Sequence, residues 1–310
     1  MLSRVAERLY WTARYLERAE DTARLVSAYS HLIFDIPIGV APEWEVLIEI
    51  IDAEPAFAQR YKNRTERNVV KFLIADGNSP NSITHAVRCV RENVRTTRDT
   101  LPGKTWELVN ELHLMVEAEA QSAVARQRRF EFLEDVIARI QQISGLIEST
   151  VLRDQGLWFM QLGQLIERAD MTSRVLDVGD AIIIERKSHE LTQVPTLWAN
   201  LLYSLSATSA YRRKMGPELE ANSVFNFLLG DHQFPRSLLF CINQGVGLIS
   251  LLGGSPATMR QFRSVVRKLR NFHAEEINLS ELHQLIDSLQ KDIASLDRAV
   301  YNNWFALTLK

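Results

Sequence analysis

Residues 17–24 read ERAEDTAR, and residues 167–174 read ERADMTSR, identical at five of eight positions. At about 100° per residue, Glu17, Glu20 and Arg24 fall within an arc of roughly 60° on a helix. Glu167, Asp170 and Arg174 fall on the equivalent arc of a second helix. Two such arcs facing each other would gather four carboxylates and two guanidiniums in one cleft. Three chemistries fit that set. It can be a group of salt bridges tying helices together. It can offer hard oxygen ligands to a metal or an amine. It can transfer protons, because crowded carboxylates drive their pKa values apart. Glu17, Glu20, Glu167 and Asp170 are therefore the candidate catalytic acids and bases. A di-iron bundle would need Glu-x-x-His, and none of the seven histidines follows a glutamate at that spacing. No metal and no cofactor is assigned.

A second charged pattern lies at Arg88, Arg91, Arg95 and Arg98, with Glu92 and Asp99 beside it. Spacings of three, four and three put these arginines on one helical face. They form either a solvated, ion-paired surface or an anion site, since forked guanidiniums match phosphate and carboxylate. Arg24, Arg174 and Arg236 complete the candidate anion- or substrate-binding set.

These residues must be positioned by helices. Apolar residues recur at three and four rather than at two. Val5, Leu9, Leu16, Ala19, Ala23 and Val26 make one such face, and Ile286, Leu289, Ile293, Leu296 and Val300 another. Caps are expected at Ser3, Ser79-Pro80, Ser255-Pro256 and Ser280. The β-branched run at 181–187 has no partner strand and reads as a helix end or loop. Trp106, Trp198 and Trp304 read as core. The fold expected is all-α, a helical bundle of roughly ten helices.

The octet is not the only repeat. FLIADGNSPNSI at 72–83 aligns with FLLGDHQFPRSL at 227–238, sharing Phe-Leu-apolar-x-Asp-x-x-x-Pro-x-Ser-apolar. Two matches in the same order, offset by 150 and 155 residues, are what a duplicated unit leaves. The expectation is a single domain over 1–310, built from halves 1–150 and 151–310 about a pseudo-two-fold axis.

Other classes are poorly supported. The 310 residues are 46% hydrophobic and 24% charged, with a net charge of -2, which argues against nucleic acid as partner. Charges interrupt every apolar run near the start, and no run is long enough to span a bilayer, so no membrane partner is expected. Two cysteines, Cys89 and Cys241, make neither a disulfide framework nor a zinc site, which fits a cytoplasmic location. Neither is expected to have a histidine partner in sequence. PGKT at 102–105 lacks the first glycine of a phosphate loop, and GVGLIS at 245–250 is not a dinucleotide fingerprint. There is no G-x-S-x-G elbow.

The opening MLSRVAERLYWTARYLERAEDTARLV, together with VRENVRTTRDTL, TWELVNEL, LGQLIERADMTSRVLD and FNFLLGDHQFPRSLLFCIN, resembles the alpha-E domain family nearly end to end. The resemblance implies an all-helical protein that partners, or is a domain fused to, a circularly permuted ATP-grasp ligase. It also implies a transglutaminase-like peptidase, and sometimes a proteasome-related one, encoded nearby. It marks Glu17, Arg18, Glu20, Arg24, Arg91, Glu92, Arg95, Arg98, Asp99, Glu167, Arg168, Asp170, Arg174, Asp231, Pro235, Arg236 and Ser237 as motif positions. Three functions are expected on this basis. The first is an accessory subunit of an amide or peptide ligase, binding the ligase or a peptide substrate or product. The second is an enzyme of amide chemistry using the clustered carboxylates. The third is a purely structural scaffold.

Overall fold

The computed structural model describes residues 1–35, 43–187, 194–274 and 279–306. Among them there are fourteen α-helices and no strand. The first seven are α1 (Ser3–Asp35), α2 (Val46–Ile50), α3 (Glu54–Ala58), α4 (Glu66–Ile74), α5 (Ile83–Thr96), α6 (Gly103–Glu119) and α7 (Arg126–Thr150). The next seven are α8 (Gln155–Lys187), α9 (Val194–Ser204), α10 (Thr208–Met215), α11 (Ala221–Gly230), α12 (Leu238–Leu251), α13 (Pro256–Arg270) and α14 (Leu279–Val300). The number exceeds the expected ten because α2 and α3 have five residues each and α10 has eight, too short to show a period. The run at 181–187 lies inside α8.

α1 and α8, of 33 residues each, form the centre of the bundle. Their contacts advance together: the Met1 amino group meets Gln155, Tyr10 meets Gly163, Glu17 meets Arg168, and Leu25 shares a cavity wall with Val175. The two helices therefore run side by side in the same direction. Their close approach needs Gly163, where an added Cβ would stand 2.4 Å from the Tyr10 carbonyl oxygen. α5 and α7 pack on α1, and α6 packs on both. α12 and α14 pack on α8, and α13 packs on both. α9 reaches across to α1, and α2 reaches across to α8. The apolar stripes of α1 and α14 face the core, with Leu9, Ala23, Val26, Ile286 and Val300 fully buried.

Local chemistry sets the helix starts. In the turn before α5, Asp76 accepts the Asn78 N–H (3.1 Å), and Ser82 caps the helix by accepting the His85 N–H (3.0 Å). In the turn before α12, Asp231 accepts the N–H groups of Gln233 and Phe234 (2.7 and 2.8 Å), and Ser237 caps the helix through the Phe240 N–H. The expected cap at Ser79-Pro80 thus moves to Ser82, because the Ser79 N–H is turned back onto the Asp76 carbonyl. Ser255 caps α13 as expected. Ser3 is the first helical residue rather than the cap, since the Leu2 carbonyl already accepts from Val5 and Ala6. The Ser280 side chain lies outside the described set. Trp198 is core, while Trp106 and Trp304 are partly buried against it.

Candidate functional site

The doubled motif meets itself where α1 and α8 touch. Glu17 accepts from Arg168 through Nε (2.7 Å) and Nη2 (2.8 Å). Glu167 accepts from Arg18 through Nε (2.5 Å) and Nη2 (3.1 Å). Each Glu-Arg dipeptide thus exchanges a bidentate pair with the other, the strongest geometry open to these groups. One turn earlier the correspondence continues. Arg14 Nε donates to Glu167 (2.6 Å), and Gln164, at the equivalent place, donates to Glu17 (2.9 Å).

The remaining nominated acids and bases pair along their own helices. Arg24 binds Glu20 (2.6 Å), and Arg174 binds Asp170 (2.9 Å). Arg236, a candidate for external anions, is buried from the α12 turn against Asp21 (2.6 Å) and Glu17 (3.0 Å). Arg14 also reaches Asp297 (2.6 Å), which accepts the Tyr10 hydroxyl as well (2.6 Å). The cluster thereby holds six acids, Glu17, Glu20, Asp21, Glu167, Asp170 and Asp297. It also holds six guanidiniums, from Arg14, Arg18, Arg24, Arg168, Arg174 and Arg236. The four carboxylates and two guanidiniums expected in one cleft belong to this cluster, and a guanidinium stands at each carboxylate. The Glu17 side chain is 0% exposed and that of Glu167 4%. A recess of about 330 Å³ beside Ala13 and Leu16 meets these groups through Gln164.

Burial and charge compete at each carboxyl. Burial alone would raise Glu167, but Arg14 and Arg18 outweigh it and hold the group at about 2. Burial is likewise overcome at Glu17 by Arg236 and Arg168, which leave it lowered. At Asp21 burial wins. It lifts the group to about 7 against Arg236, helped by Glu17 and Glu20. The second oxygen of Asp21 is buried with no hydrogen-bond partner. Asp170 is also raised, by burial first, with Arg174 opposing it and Glu167 adding to it.

Arg14, Gln164, Asp21 and Asp297 lie outside the repeated arcs. Arg18 and Arg168 lie inside the octet but off the arc, pointing at the other helix. Asp21 has Met171 at its equivalent position, and Arg236 has Asn81, so this ion pair exists on one side alone. Nothing in the local sequence flags Asp297.

The α5 arginines do not converge on one point. Arg88 binds Glu117 (2.6 Å) from α6, Arg91 binds Asn110 (2.9 Å), and Arg95 binds Glu92 (2.9 Å). The guanidiniums of Arg91 and Arg98 lie over the Trp106 ring, 5.3 and 5.2 Å from its centroid. Arg95 is half exposed, as an ion-paired surface would have it. A second arginine row, not among the sequence candidates, lies on α13. Arg260, Arg263, Arg267 and Arg270 repeat the three, four, three spacing on the exposed side of that helix. It also carries Lys268 and has no acid. Among the described residues Arg260, Arg263 and Arg267 have no ion pair.

Cys89 corrects the expectation about histidine partners: His85, one turn earlier on α5, stands 3.4 Å from its sulfur. Burial raises both thiols, that of Cys241 to about 12, so neither is an activated nucleophile. Among the described residues no three His, Cys, Asp or Glu side chains group as metal ligands, and no helix is long and apolar enough to cross a membrane.

This chain carries Glu-Arg dipeptides at residues 17–18 and 167–168, among other places. It belongs to the Alpha-E family, described as a predicted alpha-helical domain with a conserved ER motif, which it matches over residues 1–305. It is similar to an uncharacterized protein of Mycobacterium bovis, 24% identical over 319 aligned positions that cover 94% of this chain and 34% of the relative. Uncharacterized proteins of Mycobacterium tuberculosis match with the same identity and coverage. The chain therefore spans about a third of the length of the curated relatives it matches. No solved structure matches.

Proposed function

We propose that this chain is a non-catalytic helical module, made of two copies of one seven-helix unit, that serves an ATP-grasp-type amide or peptide ligase as an accessory subunit. One observation carries the reading: the acids nominated for catalysis are closed into internal ion pairs, so the doubled motif clasps α1 to α8. The helix order and packing partners of α1–α7 and α8–α14 correspond, which supports two copies of one unit. The stretch that matches this chain is only about a third of the longer mycobacterial chains, which suits a module that works beside others. The ligase class comes from the family resemblance, and a transglutaminase-like peptidase is the second candidate partner.

The docking surface in this reading is α13. Its five cations have no acid on their own helix, whereas α6, the corresponding helix, carries Glu107, Glu111, Glu117 and Glu119 against Lys104. Lys268 is paired with Asp292 of α14 (2.5 Å), which leaves Arg260, Arg263 and Arg267 as like charges without an ion pair on one face, and these call for an acidic partner. The test is recovery of the tagged protein from its native host, with bound proteins identified by mass spectrometry. The ligase is expected with wild type and with Arg95→Ala, and is expected to be lost with Arg263→Glu/Arg267→Glu at unchanged helicity. Absence of the ligase from the wild-type sample would overturn the reading. The catalytic alternative has Asp21 in its favour, a carboxyl lifted to about 7, but that side chain is 2% exposed.

A further inference from the structure

Arg24 and Arg174 occupy equivalent places but meet different groups. Each lies four residues after its own acid, and each reaches a tight turn of the opposite half. Arg174 stands 3.6 Å from the Asp52 carboxylate, after α2. Arg24 donates to the Ser206 hydroxyl at 2.5 Å, after α9. The two turns are built alike. Asp52 and Ser206 have φ of 54° and 52°, the only non-glycine residues with positive φ among those described. The Asp52 N–H returns to the Glu49 carbonyl and the Ala53 N–H to that of Ile48. The Ser206 N–H returns to Tyr203 and the Ala207 N–H to Leu202 in the same pattern. Asp52 and Ser206 are thus one structural position, filled by a carboxylate in one half and by a hydroxyl in the other.

Where the carboxylate is missing there is room. A recess of about 260 Å³ lies beside Arg24, with Ser27, Ser206, Thr208 and Ser209 on its polar side and Ile137 and Tyr203 as walls. The Thr208 hydroxyl oxygen is buried with no hydrogen-bond partner. α10 opens at this point behind Ala207, whose side chain offers no cap. Its first N–H groups, with their partial positive charge, favour an anion. Glu20 already pairs with Arg24, yet this does not bar a second acid, since Arg174 holds both Asp170 and Asp52.

We propose that the recess beside Arg24 binds a small carboxylate, which takes in trans the place that Asp52 takes in cis beside Arg174. The guanidinium Nη1, the hydroxyls of Ser206, Thr208 and Ser209 and the opening turn of α10 hold its oxygens. Ile137 and Tyr203 limit the substituent on the carboxylate to a short apolar or aromatic group. This site is independent of α13 and of the ligase reading.

The experiment is a titration of the full chain with acetate and with butyrate at constant ionic strength, followed in amide NMR spectra. Chloride and inorganic phosphate serve as parallel titrants. Saturable shifts confined to residues 206–209 and the Arg24 side chain are expected with the carboxylates. Ser206→Asp supplies the missing acid and should weaken carboxylate binding by about tenfold or more through occupancy and repulsion. Thr208→Val, which keeps the turn, should weaken it less. No saturable carboxylate shift at these residues would overturn the proposal, as would unchanged binding by Ser206→Asp. Phosphate binding more tightly than either carboxylate would overturn the assignment to a carboxylate.

Discussion

Glu17 and Glu167 solve one problem with different partners. Both are buried glutamates facing the arginine of the other helix's Glu-Arg pair. Glu167 gains a second guanidinium from Arg14, on the helix opposite. At the equivalent place Glu17 has the neutral Gln164, and it takes its second charge from Arg236, 219 residues away in sequence. Arg236 is accompanied by Asp21, whose counterpart is Met171. What is kept between the two sides is charge balance around each carboxylate, rather than the identity of the group supplying it. Buried ions are costly unless paired and hydrogen-bonded, so an added guanidinium brings an added acid.

The largest effect should come from breaking the more tightly held side. Glu167→Gln leaves Arg14 and Arg18 without their shared charge, and a loss of about 3–5 kcal/mol is expected by urea denaturation. A loss below about 1 kcal/mol, the range of exposed pairs, would show that the site is not desolvated. Next, Arg236→Asn alone strands Asp21 beside Glu17 and Glu20. Adding Asp21→Met copies the composition around Glu167 and should recover about half of the loss or more, as a double-mutant cycle would register. Simple additivity would separate the two residues.

The comparison also has a pH signature of opposite signs. The lowered folded-state value of Glu167 contributes stability that is present above its ordinary value of 4.5 and lost as pH falls toward about 2. The raised value of Asp21 contributes stability that is full below its ordinary value of 3.8 and lost as pH rises through about 7. Melting curves between these two values should therefore slope downward with pH in the wild type and less steeply in Asp21→Asn, where the raised Asp170 supplies what slope is left. An unchanged slope in that variant would place the titration elsewhere. The smallest effect belongs to Arg95→Ala, an exposed pair with Glu92, where no change in the urea midpoint is expected in the same denaturation assay.

The helical class, the core stripes of α1 and α14, and the positions of both motifs were legible from periodicity and repetition. Periodicity states where a residue points on its own helix. It does not state which residue of another helix stands opposite. That is why the arcs of Glu17, Glu20 and Arg24 were visible, while the crossing of Arg18 to Glu167 was not. Pairings such as Arg236 with Asp21 and Tyr10 with Asp297 span most of the chain and leave no local mark. The α13 arginine row has the same spacing as that of α5 but was not read from it, and it differs in having no acid on its own helix. Short helices such as α2 and α3 show too few turns to be read at all.

The central claim is that the Glu-Arg motifs clasp α1 to α8. It is tested most directly by a double-mutant cycle on Arg18→Met and Glu167→Leu, read by urea denaturation. Each single variant should lose stability, and the double variant should lose clearly less than their sum, since Arg18 and Glu167 answer each other while Arg14 keeps Asp297. Two single variants with wild-type stability, and a double variant that merely sums them, would contradict the clasp and make these residues catalytic candidates again.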